Sequence, residues 1–307
     1  NNFSTEHIQF YILDYSGRKF GMFQSMPHCG AVLNEENEDS LDAFFELING
    51  IVEERKRLFV ELEADSYESA NKMHPLPVIL VVIDNMAGFA ALKKGDDYCR
   101  RLQDYLKISI AYGVKYILTC SHLNEILMRT RQEIGTHISL YQKSKYDYGD
   151  VLGCRCEYMP PELPGRGMAL LNGRPLEFQA AMFEPELEGY ERAGRLREYM
   201  QSAANANDSM KRAKRLPHIP ETLNYKEFHR EFLRGRIPLG YSVQDAKPVA
   251  LPLKQWGMFS LYFGNPIGKN VILKNLLYAA GAEHMAVTVL KKTHDSSFES
   301  GNSEFAD

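Results

Sequence analysis

Residues 7–18 read HIQFYILDYSGR, and this stretch decides the fold of the chain. Its centre, residues 10–13, is apolar, and the run closes with Asp14 and a Ser-Gly turn. A continuous apolar run bounded by a turn predicts a strand that is covered on both faces, as strands of parallel sheets are. A parallel-sheet protein rarely begins this way. We therefore expect the second strand of a nucleotide-binding core whose first strand and phosphate loop are absent upstream.

A second apolar run, VILVVID at residues 78–84, has the same character and predicts another buried strand. Further strands and helices alternate with it, which favours an α/β three-layer sandwich with a mostly parallel sheet and right-handed crossovers. The Asn172-Gly173 pair predicts a hairpin turn. The predicted elements are strands at residues 114–119, 137–141, 168–171 and 176–182, and helices at residues 39–59, 97–112 and 124–131.

The composition changes after the hairpin, and the length of 307 residues suggests two domains. Residues 185–215 are polar and charged, and two X-Pro pairs near residue 217 indicate a boundary. We predict a module at residues 1–215 that lacks its own phosphate loop, and the start of a second module at residues 216–307. The second part has predicted strands at residues 237–241, 248–251, 258–263 and 286–290, a helix at residues 269–280 and a polar tail.

The composition excludes several classes of function. The net charge is −4, so no overall basic field attracts nucleic acid, and no nucleic-acid partner is expected. No apolar run approaches the ~20 residues that span a bilayer, so any membrane contact would use parts outside this chain. The five cysteines and nine histidines lack the spacing of a zinc site, so no metal site is predicted.

A phosphate-loop candidate lies at residues 264–270, between a predicted strand and a predicted helix. A working loop has the pattern GxxxxGK followed by Ser or Thr, because backbone N–H groups and the lysine bind phosphate and the hydroxyl binds Mg²⁺. Here three residues, not four, separate Gly264 from Gly268, and Asn270 follows Lys269 in place of the hydroxyl. These departures favour a tight turn inherited from a nucleotide-binding ancestor, and leave weak nucleotide binding open.

The second candidate is Asp84-Asn85, at the end of the strand at residues 78–84. In P-loop ATPases such an aspartate orients Mg²⁺, and the next acidic residue polarises the attacking water. Asn85 cannot accept a proton, so a general base is missing at this position. A structural reading, in which Asp84 caps the following turn, is about equally supported.

Three arginines are candidates for contacts with a neighbouring subunit's phosphate. Arg129 and Arg131 follow a strand–helix step, and Arg166 lies in a Gly-flanked loop. Surface arginines without such a role are much commoner, so the arginine-finger reading of Arg131 and Arg166 is the less frequent outcome.

The ordered series of these motifs resembles the FtsK/SpoIIIE-type ATPase modules of the type VII secretion coupling proteins, the EssC/EccC family. The resemblance covers most of residues 8–182 and resumes from residue 237 to about residue 290. No single motif is specific, but the ordered series is. The matching segments are residues 10–18, 26–32, 54–59, 81–85, 112–119, 164–167 and 178–179.

The resemblance implies a RecA-like core, hexamer formation and a cytoplasmic region of a cell-membrane protein anchored elsewhere. It implies small helical-hairpin substrates of the WXG100 type, recognised through a C-terminal signal, and contacts with other modules of the same motor. ATP and Mg²⁺ are the implied cofactors. The short loop, Asn270 and Asn85 place these modules in the family's degenerate group, so hydrolysis is expected to be weak or absent.

Three functions follow in order of preference. The first is a degenerate ATPase region that serves substrate recognition, regulation and assembly in a secretion motor. The second is an active P-loop ATPase that powers export, and the third is a DNA translocase, which the net charge disfavours. Whether residues 216–307 complete the fold of residues 1–215 or belong to a separate module stays open.

Overall fold

The computed structural model describes residues 3–216, 228, 236–242, 248–252, 260, 262, 266–282, 286 and 288. The chain forms two compact units, Asn1–Leu216 and Pro217–Asp307. In the described parts of both units, no helix is both long and apolar enough to cross a membrane.

The core of the first unit is a four-stranded sheet in which every neighbouring pair is parallel. The strand order is β2-β1-β3-β4. The pairing of β1 with β3 ends at Asp14 and Asp84, so these two carboxylates lie side by side at the carboxyl edge. The strands are β1 (Ile8–Asp14), β2 (Cys29–Leu33), β3 (Val78–Asp84) and β4 (Val114–Leu118).

Helices cover both faces of this sheet, which confirms the predicted three-layer α/β class. On one face Tyr11 and Leu13 are fully buried in a core shared with α1 (Leu41–Glu61) and α4 (Gly95–Ser109). Because side chains alternate along a strand, Phe10 points to the other face. There it packs with Met200 and other residues of α7 (Gly189–Ala206) and with the 3₁₀ helix Gly21–Ser25.

The helices differ from the sequence prediction mainly at their ends. A 3₁₀ helix, Glu35–Ser40, precedes α1, so α1 begins at Leu41 rather than at residue 39. The helix predicted at residues 124–131 is shorter, because Ile126 is buried in the core with an extended backbone. It is replaced by a 3₁₀ turn, Leu123–Glu125, and by α5 (Met128–Gln132). Two short helices were not predicted, α2 (Tyr67–Met73) and α3 (Met86–Ala90).

A buried arginine ties α1 to the amino ends of β3 and β4. Arg55 is 5% exposed and donates hydrogen bonds to the carbonyl oxygens of Tyr112 and Pro77, and its guanidinium lies over the Tyr67 ring. Burial lowers the pKa of Arg55 from its usual value. Next to it, Gly113 ends the 3₁₀ turn Ile110–Tyr112 with a left-handed φ of 76°, directly after the helix predicted at residues 97–112.

A small antiparallel sheet follows, in the order β5-β6-β7, and α6 covers one of its faces. The predicted hairpin is confirmed, since Asn172 and Gly173 both have positive φ, 51° and 73°. Such values define the turn that matches strand twist. The elements are β5 (Ile138–Leu140), α6 (Lys145–Leu152), β6 (Arg166–Leu171) and β7 (Arg174–Gln179).

In the second unit, the two predicted strands are present as β8 (Arg236–Tyr241) and β9 (Pro248–Pro252), which pair antiparallel, and α8 (Pro266–Ala282) is the predicted helix. The helix starts three residues earlier than expected, because proline at the first position is pre-organised for a helix. The expectation of a loop extending through Gly268 is therefore wrong. The strands predicted at residues 258–263 and 286–290 and the polar tail lie outside the described residues, apart from isolated positions.

Candidate functional site

Four oxygen-bearing side chains meet at the carboxyl edge of the parallel sheet. Asp84, at the end of β3, accepts a hydrogen bond from the Thr119 hydroxyl at 2.6 Å through one carboxylate oxygen. Its other oxygen accepts from the Ser16 hydroxyl. Asp14, at the end of β1, is fully buried beside it. We call Asp14, Ser16, Asp84 and Thr119 the carboxylate cluster.

Asp14 fixes the loop that carries Ser16. Its carboxylate accepts the backbone N–H groups of Ser16 at 3.2 Å and of Phe20 at 2.9 Å. Charge-assisted hydrogen bonds of this kind are about twice as strong as neutral ones. The loop after β1 is therefore held in the position that presents the Ser16 hydroxyl to Asp84.

Asn85 is engaged in local structure. It has a left-handed φ of 72° and caps α3, where its Oδ1 accepts from the Gly88 N–H at 3.2 Å. Its Nδ2 donates to the Tyr15 carbonyl at 2.9 Å, and its own N–H donates to the Thr119 hydroxyl at 2.9 Å. The side chain next to Asp84 therefore serves as a cap, and an amide supplies no proton acceptor to a water molecule.

The groups around the cluster are partly desolvated. The Tyr15 hydroxyl is buried without a hydrogen-bond partner, and burial raises the pKa of Tyr15 above its usual value. Burial and the nearby Glu125 carboxylate raise the pKa of Cys120, the residue after Thr119, whereas the Arg131 charge opposes this shift. Arg131 thus lies within electrostatic reach of the β4 end of the site, and its Nε is buried without a hydrogen-bond partner.

Arg166, the other arginine predicted at a subunit contact, has a partner within its own sheet. Its Nη1 lies 2.8 Å from Glu177 Oε1 across the β6–β7 pair, and both side chains are less than one-third exposed. The structure does not bring Arg166 into the carboxylate cluster through any hydrogen bond or ion pair between described residues.

The predicted phosphate-loop residues belong to the second unit. Gly268, Lys269 and Asn270 are the third to fifth residues of α8, and Gly264 lies outside the described residues. Asn270 Oδ1 is buried without a hydrogen-bond partner. In the first unit, Asp84 carries an oxygen donor suited to Mg²⁺, but the amide of Asn85 supplies no proton acceptor. In the second unit, Asn270 follows Lys269 where the GxxxxGK pattern continues with a hydroxyl residue. Neither set of residues by itself fits a hydrolytic Mg²⁺–ATP site well.

Sequence reasoning did not single out Ser16 and Thr119. Ser16 lies two positions after Asp14, which closes the opening strand, and Thr119 is the last residue of the strand predicted at residues 114–119. The carboxyl ends of parallel strands meet at one edge. That rule is the signal that could have found them.

The comparisons with known proteins agree with this geometry. No protein-family model matches the chain. It is 22% identical over 261 residues to the ESX secretion system protein EccC of Geobacillus thermodenitrificans, which covers 82% of this chain and 17% of that protein. Among solved structures, EssC (ATPases 2 and 3) from the same organism superposes with a TM-score of 0.78 at 19% identity, over 92% of this chain and 54% of that one.

The chain is similar in sequence to the ESX secretion protein EccC and in fold to the ATPase domains of EssC. The structural likeness establishes the fold, so the RecA-like α/β class is confirmed. The cytoplasmic domain of EssC matches 92% of the chain, and 56% of its own, with a TM-score of 0.65 and 19% identity. The part of EssC that this chain matches is therefore its cytoplasmic domain. The chain spans about half the length of these solved structures.

A third similar structure is a complex with a peptide. Thermomonospora curvata EccC (ATPases 2 and 3), in complex with a signal sequence peptide, superposes with a TM-score of 0.60 at 19% identity over 80% of this chain and 45% of that one.

Proposed function

We propose that this chain is part of the cytoplasmic ATPase region of a type VII secretion motor, and that it serves substrate recognition, regulation and assembly rather than hydrolysis. One observation carries the proposal. The residue after Asp84 is Asn85, whose amide cannot accept a proton and whose two polar side-chain atoms are both used in hydrogen bonds, to Gly88 and Tyr15.

The carboxylate cluster then acts as a structural joint. Asp84 receives two hydroxyl hydrogen bonds, from Thr119 and from Ser16, so it connects the ends of β3 and β4 to the loop after β1. A carboxylate held in this way orders the edge of the sheet, and it does so without turnover.

Steady-state ATP hydrolysis with Mg²⁺ tests the proposal. We expect a rate at the background of the assay, and the same rate for Lys269→Ala and Asp84→Asn. A rate well above background that Lys269→Ala abolishes would show that the site hydrolyses ATP. The matched control is Lys274→Ala, a substitution of an exposed lysine on the same helix.

For the substrate we propose a small helical-hairpin protein of the WXG100 type, bound through its C-terminal signal. The support is the signal-peptide complex of the Thermomonospora curvata relative. A surface cavity of about 640 Å³ between the 3₁₀ helix Gly21–Ser25 and α7 is one place for such a peptide, since its wall combines Met22 with polar side chains such as Gln201 and Asn205.

Fluorescence anisotropy with a labelled hairpin protein tests this partner. We expect saturable binding that disappears when the C-terminal signal is removed. Gln201→Trp should weaken this binding, because the larger side chain fills the cavity. Tyr190→Trp is the control, because Tyr190 is 84% exposed on the same helix and does not line the cavity. Equal binding with and without the signal would refute this assignment.

A second function, an active ATPase that powers export, is favoured by the position of Asp84 at the carboxyl end of a central parallel strand. In this reading the phosphate loop comes from a strand added beside β4, which lies at the edge of the sheet and leaves Ile117 48% exposed. Titration calorimetry with Mg²⁺–ATP distinguishes the active ATPase from the non-hydrolytic role. Tight binding that is lost in Asp84→Asn supports the active ATPase. The absence of heat at millimolar ATP contradicts it.

A further inference from the structure

The loop that follows β1 lies over the carboxylate cluster. We call residues 15–20 the cover loop. Its tip is exposed, whereas Asp14 beneath it is fully buried. The loop rests on this aspartate, since the backbone N–H groups of Ser16 and Phe20 both donate to the Asp14 carboxylate. Hydrogen exchange of these two amides therefore measures how often the cover loop leaves the cluster.

The tip of the cover loop has an unfavourable backbone conformation. Gly17 has a φ of 103° and Arg18 a φ of 60°, and side chains other than glycine rarely adopt such values. Two ion pairs hold Arg18 in place. Its Nη2 lies 2.7 Å from Glu36 Oε1, and its Nε lies 3.6 Å from Glu35 Oε1. All three side chains are at least half exposed, so these ion pairs form a weak latch.

The latch is anchored at the end of β2. The Asn34 side chain accepts the Glu36 N–H at 2.9 Å, and the Asn34 N–H donates to Asn37 Oδ1 at 3.3 Å, so a capping box positions the two glutamates. Arg18 thus connects the cover loop to the end of β2, while the Ser16 hydroxyl connects it to the end of β3. The cover loop bridges the carboxyl ends of three neighbouring strands.

The Ser16 hydroxyl takes the place of a cation between two carboxylates. It donates to Asp84 Oδ2, and its Oγ lies 3.4 Å from Asp14 Oδ1. The other Asp84 oxygen accepts from Thr119 at 2.6 Å. Divalent cations such as Mg²⁺ and Mn²⁺ bind carboxylate oxygens directly or through water. A cation that approaches Asp84 from the side of Asp14 must therefore displace the Ser16 hydroxyl.

We propose that the cover loop is a lid that keeps divalent cations off the carboxylate cluster. The Ser16 hydroxyl blocks Asp84, and the Arg18 latch keeps the lid closed. The inference rests on the proposed non-hydrolytic function and adds a regulated element to it. Asn85 lacks a proton acceptor whether the lid is open or closed, whereas access of a cation to Asp84 depends on the lid.

Titration of the full chain with Mn²⁺, with free Mn²⁺ measured by electron paramagnetic resonance, tests the blocking role of Ser16. Ser16→Ala should bind Mn²⁺ at least about fivefold more tightly than the wild type, because hydrogen bonds to charged groups are the stronger class. Ser16→Thr keeps the hydroxyl and should match the wild type. Asp84→Asn in the Ser16→Ala background should remove the gain. Thermal melts establish that each variant is folded.

Hydrogen exchange tests the latch without any cation. In the Glu35→Gln, Glu36→Gln double variant, the Ser16 and Phe20 amides should exchange about two- to fivefold faster, the size of an exposed ion pair. The matched control is Glu53→Gln, Glu54→Gln, which removes two carboxylates of α1 that pair with lysines, and it should leave both amides unchanged. Higher ionic strength should speed exchange more in the wild type than in the latch variant, because salt screens exposed charges.

Four results would overturn the lid. They are equal Mn²⁺ affinities of the wild type and Ser16→Ala, a gain that persists in Asp84→Asn, unchanged exchange in the latch variant, and weaker Mn²⁺ binding by Ser16→Ala, which would make the hydroxyl a cation ligand. ATP turnover is measured separately. Equal Mn²⁺ affinities with turnover at background would reject the lid alone, whereas turnover by the wild-type chain would reject the non-hydrolytic function.

Discussion

Gly113→Ala is expected to be strongly destabilising, because two separate costs meet at this residue. Gly113 has a φ of 76°, a left-handed conformation that L side chains rarely adopt. A Cβ added there would lie 2.3 Å from two ring atoms of Tyr67 and 2.9 Å from Arg55 Nη1. The Tyr67 ring cannot retreat freely, since its hydroxyl donates to the Leu76 carbonyl at 2.7 Å and the Arg55 guanidinium lies over its face.

The magnitude follows from adding these two costs. The left-handed conformation costs an alanine about 1–2 kcal/mol, and overpacking of a buried site adds about 1–3 kcal/mol. Gly153 provides the matched control, because it also ends a helix with a left-handed φ, 66°, but a Cβ there meets nothing within 4 Å. Gly153→Ala should therefore lose only the first amount, and the difference of about 1–3 kcal/mol measures the Tyr67 contact.

The assay is urea unfolding measured by amide hydrogen exchange at β3 and β4, so that the unfolding of the first unit is measured separately from that of the second. A Tyr67→Ala substitution in the Gly113→Ala background should recover part of the loss, with a coupling free energy of about 1 kcal/mol or more. Equal losses for Gly113→Ala and Gly153→Ala, or a coupling of zero, would refute the steric argument.

Three further predictions concern the site and its surroundings. Thr119→Val removes the hydroxyl that bonds Asp84 and accepts the Asn85 N–H, so the free energy of unfolding should fall by about 1–2 kcal/mol, whereas Thr119→Ser should preserve it in the same urea titration. Burial raises the pKa of the Cys29 thiol to about 12, so a thiol reagent at pH 8 should modify exposed Cys120 well before Cys29, and equal rates would contradict the burial. Burial also raises the pKa of Tyr116 from 10.0 to about 12, so the folded state holds the phenol proton more tightly than the unfolded state. The resulting stabilisation is complete below pH 10 and is lost as the pH rises through 12. Tyr116→Phe should therefore flatten this part of the plot of unfolding free energy against pH.

Local sequence patterns predicted the elements well where one physical signal dominated. The β-branched run of β3, the Asn172-Gly173 turn and the end of the helix predicted at residues 97–112 each have a single local explanation, and all three are confirmed. Prediction failed where tertiary burial overrode the local pattern. Ile126 is the clearest example, because its burial in the core holds an extended backbone inside a segment with helical spacing.

The candidate site was predicted only in part. The position of Asp84 at the end of a buried strand was readable from the sequence, as was the lack of a proton acceptor at Asn85. The partners of Asp84 come from residues 68 and 35 positions away in the chain, Ser16 and Thr119. No periodicity in the sequence connects positions so far apart.

The sequence by itself determined the opening strand, with its apolar centre at residues 10–13 and its closing Asp14, and hence the parallel-sheet class. It also determined the chemistry available at residues 84, 85 and 270, because side-chain identity decides what can accept a proton or bind Mg²⁺. Only the tertiary structure decided that Asp14 lies beside Asp84, that Asn85 is a helix cap and that Arg166 pairs with Glu177 within its own sheet. Strand order and register fix these relations, since they depend on which strands become neighbours in the folded sheet.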